Sequence, residues 1–145
     1  VQASLWTELS RWEANYDWLV VDTGSGAHRL ARQWSRAADQ VLIVTTPEAT
    51  AIAEAYATIK GLHRHAGPEL NVLVNQATGD EAERILERLQ ATARSFLLAK
   101  LGLGTHCPVD PAIPRSVRRR EPCVLSEEGS PASRALRQLA ARWVG

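Results

Sequence analysis

The chain has 145 residues, 45% of them hydrophobic, and 17 Lys and Arg against 16 Asp and Glu give a formal net charge of +1. That length and apolar content suit one globular domain with its own core and speak against disorder or a coiled coil. The near-neutral balance leaves only local patches for nucleic acid or anionic membrane, and no apolar run approaches the roughly 18 residues of a membrane span.

The apolar residues Val1, Leu5, Leu9 and Trp12 fall at helical spacing and predict an amphipathic first helix. Trp18 to Val21 is a continuous apolar run of the kind that forms a buried parallel strand, and it carries Asp22 to the carboxyl edge of a sheet beside the turn Thr23-Gly24-Ser25-Gly26. Ala31, Trp34, Ala37 and Ala38 predict a second short helix, and Val41 to Thr46 a second strand closed by Pro47. Ile52, Ala55, Tyr56, Ile59 and Leu62 mark a helix ended by Gly67-Pro68, and Leu70 to Asn75 a third strand. A long helix follows from Ala82 to Leu97, then a short strand near Leu103 to Cys107. The segment from Pro122 to Ser130 has the composition of a linker. The last helix starts with Ser130 as N-cap and Pro131 at its first position, with Leu136, Leu139 and Trp143 on one face. Strands that alternate with helices predict a doubly wound parallel α/β sheet.

A carboxylate at a strand end beside a glycine turn suits magnesium-linked phosphate chemistry, because it can hold a metal-bound water while backbone N–H groups approach an anion. The spelling D-x-G-x-G is weak alone, since many α/β proteins end a strand this way merely to turn. No G-x-x-x-x-G-K-[ST] cradle is present, and neither Lys60 nor Lys100 follows a glycine.

Taken together, YDWLVVDTGSG, the AAD of Ala37 to Asp39, VLIVTTPEATAIAEAYATIK, the Leu73-Val74-Asn75-Gln76 strand end, LGTHCPVDPAIPRSVRRREP and SPASRALRQLA resemble the MinD/ParA family of deviant P-loop ATPases across nearly the whole chain, above all its flagellar-number regulators. The resemblance implies a P-loop NTPase type of sheet whose phosphate-loop unit is missing, with residues 1–145 as the carboxyl-terminal portion of the nucleotide-binding domain. It implies ATP and Mg2+ as cofactors. Asp22 becomes the acid linked to magnesium directly or through water, and Gly24 and Gly26 the switch that senses the γ-phosphate. Asn75 would read the adenine edge, and Pro108, Val109 and Asp110 would form a loop over the base, with turn-making roles as the alternative for these four. Thr46, Pro47 and Glu48, with Glu54 on the next helix, take the dimer and partner positions, and Glu54 stands where relatives usually carry aspartate. A solvated helix-face glutamate is its alternative.

Three functions stay open at this stage. The first is a nucleotide-dependent homodimer that binds flagellar or polar assembly proteins, cytoplasmic with peripheral contact at the inner face of the membrane. The second is a non-hydrolysing scaffold that lacks the cradle, and the third a partitioning relative that binds DNA through Arg118, Arg119 and Arg120. A solvated helix end beside Glu121 accounts for those arginines more simply. The chain begins at Val1 and contains no Met, so the expectation is a fragment, poorly stable alone because a central strand would be absent. Hydrolysis by these residues alone is not expected. His63 and His65 are expected to face apart, Cys107 and Cys123 to sit reduced, and the five tryptophans to pack.

Overall fold

In a computed structural model, residues 7, 11–12, 14–63, 67–102 and 104–144 are described. Three strands, β1 (Gln40–Thr45), β2 (Glu69–Asn75) and β3 (Gly104–Cys107), form a parallel sheet in the order β1-β2-β3. The register pairs Gln40 with Glu69 and Thr45 with Val74 on one side, and Val72 with Gly104 and Asn75 with Cys107 on the other. All three strands therefore end at one rim.

The helices are α1 (Arg29–Ser35), α2 (Ala49–Leu62), α3 (Gly79–Leu97), α4 (Ala112–Arg119), α5 (Cys123–Ser126) and α6 (Pro131–Val144). β2 is central and its Leu70 to Val74 are all buried, the continuous run that a strand covered on both faces requires. On one face Ile43, Leu70, Val72 and Val74 meet Ala55, Ile59 and Leu62 of α2 and Ala82, Leu89 and Ala93 of α3. On the other face Leu73 and Cys107 meet Ala132 and Leu139 of α6, with Ile113, Leu136 and Trp143 packed around them. Helices on both faces make the sheet doubly wound, as predicted. Ile59 and Val74 lose all exposure, each worth about 1.5–3 kcal/mol of transfer free energy.

Local signals set the helix ends. Ser130 Oγ accepts from Ser133 N, so the predicted cap of α6 is in place. α3 starts with a capping box in which Thr78 Oγ1 accepts from Glu81 N and Glu81 Oε2 accepts from Thr78 N. Leu98 ends α3 in a left-handed conformation, φ 52°.

The structure differs from the sequence reading at three places. Trp18 to Val21 is not a strand: it has no ladder partner, and Trp18 is 50% and Val20 88% exposed. A parallel strand needs a neighbour on which to register, and none of the described residues offers one beyond β1. The stretch taken for a linker contains α5, stapled to its surroundings through Cys123 O, which accepts from Ser133 Oγ. Trp12 and Trp18 are exposed, whereas Trp143 packs as expected. The arginine cluster is the solvated helix end that was expected, the last turn and cap of α4, and Glu127 is its ion-pair partner: Arg115 binds it through two hydrogen bonds of 3.0 Å and Arg119 lies 3.7 Å away. The first predicted helix, with Val1, Leu5 and Leu9, falls outside the described residues apart from Trp12, and so do His65 and Leu103. Among the described residues no helix is long and apolar enough to cross a membrane.

Candidate functional site

Parallel pairing alone brings most of the predicted set together. Thr45 pairs with Val74 and Asn75 with Cys107 where the strands end, so the Thr46-Pro47-Glu48 turn, Asn75 with its following turn, and Pro108-Val109-Asp110 lie along one rim of the sheet. Ligands of open α/β sheets bind outside this carboxyl edge.

At the middle of the rim, Asn75 Oδ1 accepts from Gln76 N at 3.0 Å, in a turn where Gln76 takes a left-handed φ of 57°. That bond occupies the carbonyl oxygen and leaves the amide N–H2 without a partner among the described residues. Asn75 can therefore donate outward. The next turn leads into the Thr78–Glu81 box, whose bonds to Thr78 hold the Glu81 carboxyl below its ordinary range.

The rim loop after β3 has a different logic. Asp110 is buried, and its Oδ1 accepts from Ala112 N at 2.8 Å while its Oδ2 accepts from Ala132 N at 2.9 Å. One carboxylate thus caps the N-termini of both α4 and α6, where the helix dipole also favours negative charge. The Ala132 bond, then the Ala112 bond, lower its pKa against the opposing effect of burial. Asp110 is fully engaged as a structural anchor, and Val109, 75% exposed, is the residue of the loop that faces outward. Cys107, just before the loop, is buried, and that burial pushes its thiol pKa up.

Asp22 is held differently. Its Oδ1 accepts from Gly24 N at 2.9 Å, closing a tight turn in which Gly24 and Gly26 have φ of 72° and 78°, values that only glycine adopts readily. Oδ2 has no partner among the described residues. His28 closes the loop: its Nδ1 accepts from Ala31 N as the cap of α1, so Nε2 carries the proton and donates to Thr23 O at 2.8 Å. Arg32 donates to Ala27 O at 2.7 Å. Ala27 in turn packs against Gly61, where an added Cβ would lie 2.7 Å from Ala27 Cβ. Gly61 is in the last turn of α2, which runs away from the carboxyl rim toward the start of β2. The loop is therefore preformed, and Asp22 lies outside the strands of the described sheet.

Of the partner set, Thr46 Oγ1 donates to Glu48 Oε2 and Glu54 is an exposed residue of α2 with no ion pair among the described residues. His28 and the Thr78–Glu81 box escaped the sequence reading. The T-x-x-E spacing before an apolar run announces the box, whereas nothing in the spelling around His28 announces a latch. No group of three His, Cys, Asp or Glu that could hold a metal occurs among the described residues.

Comparison with known proteins gives the site its context. No protein-family model matches the chain. The antiactivator FleN of Pseudomonas aeruginosa is 33% identical over 128 residues, which cover 87% of this chain and 46% of that protein. The flagellum site-determining protein YlxH of Helicobacter pylori is 37% identical over 83 residues, 57% of this chain and 28% of that protein. Among solved structures, the MinD cell division protein of Aquifex aeolicus matches with a TM-score of 0.71 and 26% identity over 96% of this chain and 58% of that one. The chain thus spans less than half the length of either curated relative.

Proposed function

From a chain that belongs to the MinD/ParA family, close to its flagellar members, we propose the carboxyl-terminal part of an ATP- and magnesium-dependent dimerisation switch that sets the number or placement of flagella. The observation that carries the reading is the three-strand register, which lines up Thr46 to Glu48, Asn75 and Pro108 to Asp110 at one ligand-facing rim.

The site is incomplete without a further strand. Among the described residues β1 has one open edge, and the apolar run Trp18 to Val21 is exposed and pairs with no strand. A strand carrying a glycine- and lysine-bearing phosphate loop, inserted between the two, would satisfy both edges and draw Asp22 to the rim. Lys60 and Lys100 are exposed and neither follows a glycine, so these residues do not fit the phosphate cradle themselves.

Bound magnesium nucleotide brings the triphosphate charge that the switch senses. Asp22 would use its free Oδ2 for a magnesium-bound water while Oδ1 keeps the loop closed through Gly24 N. Gly26 presents its backbone N–H without a side chain in the way, while Gly24, whose N–H is held by Asp22, supplies the positive φ of the turn. Asn75 donates its amide to the base edge, and Pro108 and Val109 cover the base. The role of Asp110 is to position that loop through α4 and α6. Thr46, Pro47, Glu48 and Glu54 form the face offered to the second protomer and to flagellar or polar assembly proteins, with peripheral membrane contact as the output. Nucleotide held between two protomers stabilises the dimer by mass action, and turnover releases it.

The test is sedimentation of the nucleotide domain completed with its cradle strand. A dimer with ATP and magnesium and a monomer with ADP support the switch. One mass in both conditions would contradict it, and a completed domain that binds assembly proteins without turnover would make it a scaffold.

A further inference from the structure

The open edge of β3 is unused by the nucleotide reading. β2 is its one strand partner among the described residues, so alternate N–H and C=O groups of Gly104 to Cys107 point away from the sheet with no ladder to join. Beside that edge runs a groove of 390 Å³, with Gly104, Thr105 and His106 along one wall and α6 along the other. Because Asp110 binds Ala132 N, α6 starts at the carboxyl end of β3 and runs back along it.

The α6 wall carries a row of polar residues at four-residue steps, Arg134, Gln138 and Arg142, alongside Pro131 and Ala135. No acidic residue lines the groove. Arg134 spends one N–H on Gly129 O, and Arg142 has no ion pair among the described residues. Two guanidiniums eight residues apart on a helix are separated by about 12 Å along its axis. In an extended chain, side chains on one face repeat every two residues, so positions i and i+4 are about 13 Å apart. The two spacings match. A segment lying along β3 with carboxylates four residues apart would meet both arginines, with the residue between them facing Gln138.

We propose that this groove binds a short acidic segment of a partner protein, which adds to the sheet beside β3 as an extended strand and places two carboxylates against Arg134 and Arg142. Backbone pairing supplies the register and the arginines select the charge. β3 is four residues long, so the contact is small, at the transient end of interface sizes and suited to reversible docking.

The probe is the acetylated, amidated heptapeptide Thr-Glu-Thr-Thr-Thr-Glu-Thr with a fluorescent label, titrated into the completed nucleotide domain. Saturable binding that falls at least tenfold in the Arg134→Glu/Arg142→Glu double variant, and that fails both for the peptide with lysine at the two glutamates and for its backbone N-methylated form, supports the proposal. An N-methylated peptide that binds as well as the parent would mean charge attraction without strand addition and would overturn it. So would the absence of saturable binding. Equal binding of the lysine peptide, or a dimer of this chain that is lost in Arg142→Glu, would also overturn it, the last by assigning the edge to a second copy.

Discussion

Substitution of Val20 by Thr distinguishes an exposed segment from an unfinished strand. In the 145-residue chain Val20 is 88% exposed and touches no ladder, so exchanging a methyl for a hydroxyl of similar shape removes no buried contact. The change in unfolding free energy should stay within about 0.5 kcal/mol. In the completed domain the same residue would lie in a parallel strand covered on both faces. The hydroxyl would then be buried without a ladder bond to offer, at a cost of about 1–3 kcal/mol, and Val20→Asp, which buries a carboxylate, would cost more. Equilibrium urea unfolding of both proteins, each with and without the substitution, gives the four midpoints needed. A sucrose-containing buffer raises the baseline of the shorter chain, whose β1 edge is open. The expected result is a shift of the midpoint in the completed domain alone. If Val20→Thr leaves both proteins unchanged, Trp18 to Val21 never becomes a buried strand, and the argument that Asp22 is carried to the rim fails.

Gly61→Ala would ordinarily stabilise a helix by about 1 kcal/mol. Here the new Cβ meets Ala27 Cβ at 2.7 Å, and overpacking of that kind costs about 1–3 kcal/mol, so the 145-residue chain should lose stability overall. Ala27→Gly should relieve the clash, and a double-mutant cycle by urea unfolding that showed additivity would remove the contact from the account. Asp110 and Glu127 have folded pKa values below their ordinary 3.8 and 4.5, the first because of Ala132 and Ala112 N–H, the second because of Arg115. A depressed carboxylate contributes stability above its unfolded pKa and loses it as pH falls through the folded one. Urea midpoints should therefore hold steady above about pH 5 and decline below about pH 4, with a shallower decline in Asp110→Asn, and an unchanged profile in that variant would contradict the double-cap assignment.

How much could be seen beforehand depended on how local each cause was. β2 and the α3 stripe follow from runs and periods within their own segments, and the Ser130-Pro131 start of α6 needs only neighbouring residues. Trp18 to Val21 has the right composition for a strand, but strand formation depends on a neighbour far away in sequence, and composition cannot supply one. The resemblance puts Asp110 in a loop over the base, yet its second bond goes to Ala132, 22 residues onward, and no short motif encodes a cap shared by two helices. The α5 turn was hidden by the serine- and glutamate-bearing spelling of Pro122 to Ser130, where the bond from Ser133 Oγ to Cys123 O and the Arg115–Glu127 pair provide the order that composition does not. The Asp22 loop was legible as a turn through Gly24 and Gly26. Its His28 latch was not, because a histidine five residues on has no spacing rule attached to it.

The central claim is that Asp22 works on magnesium-bound nucleotide once the cradle strand is in place. It is tested most directly by steady-state ATP turnover of the completed domain with and without Asp22→Ala, alongside circular dichroism to show that the fold is kept. The account predicts magnesium-dependent turnover that falls at least a hundredfold in the variant, the scale of losing a preorganised charge-stabilising group. Turnover within twofold of the parent, with the fold intact, would remove Asp22 from the mechanism.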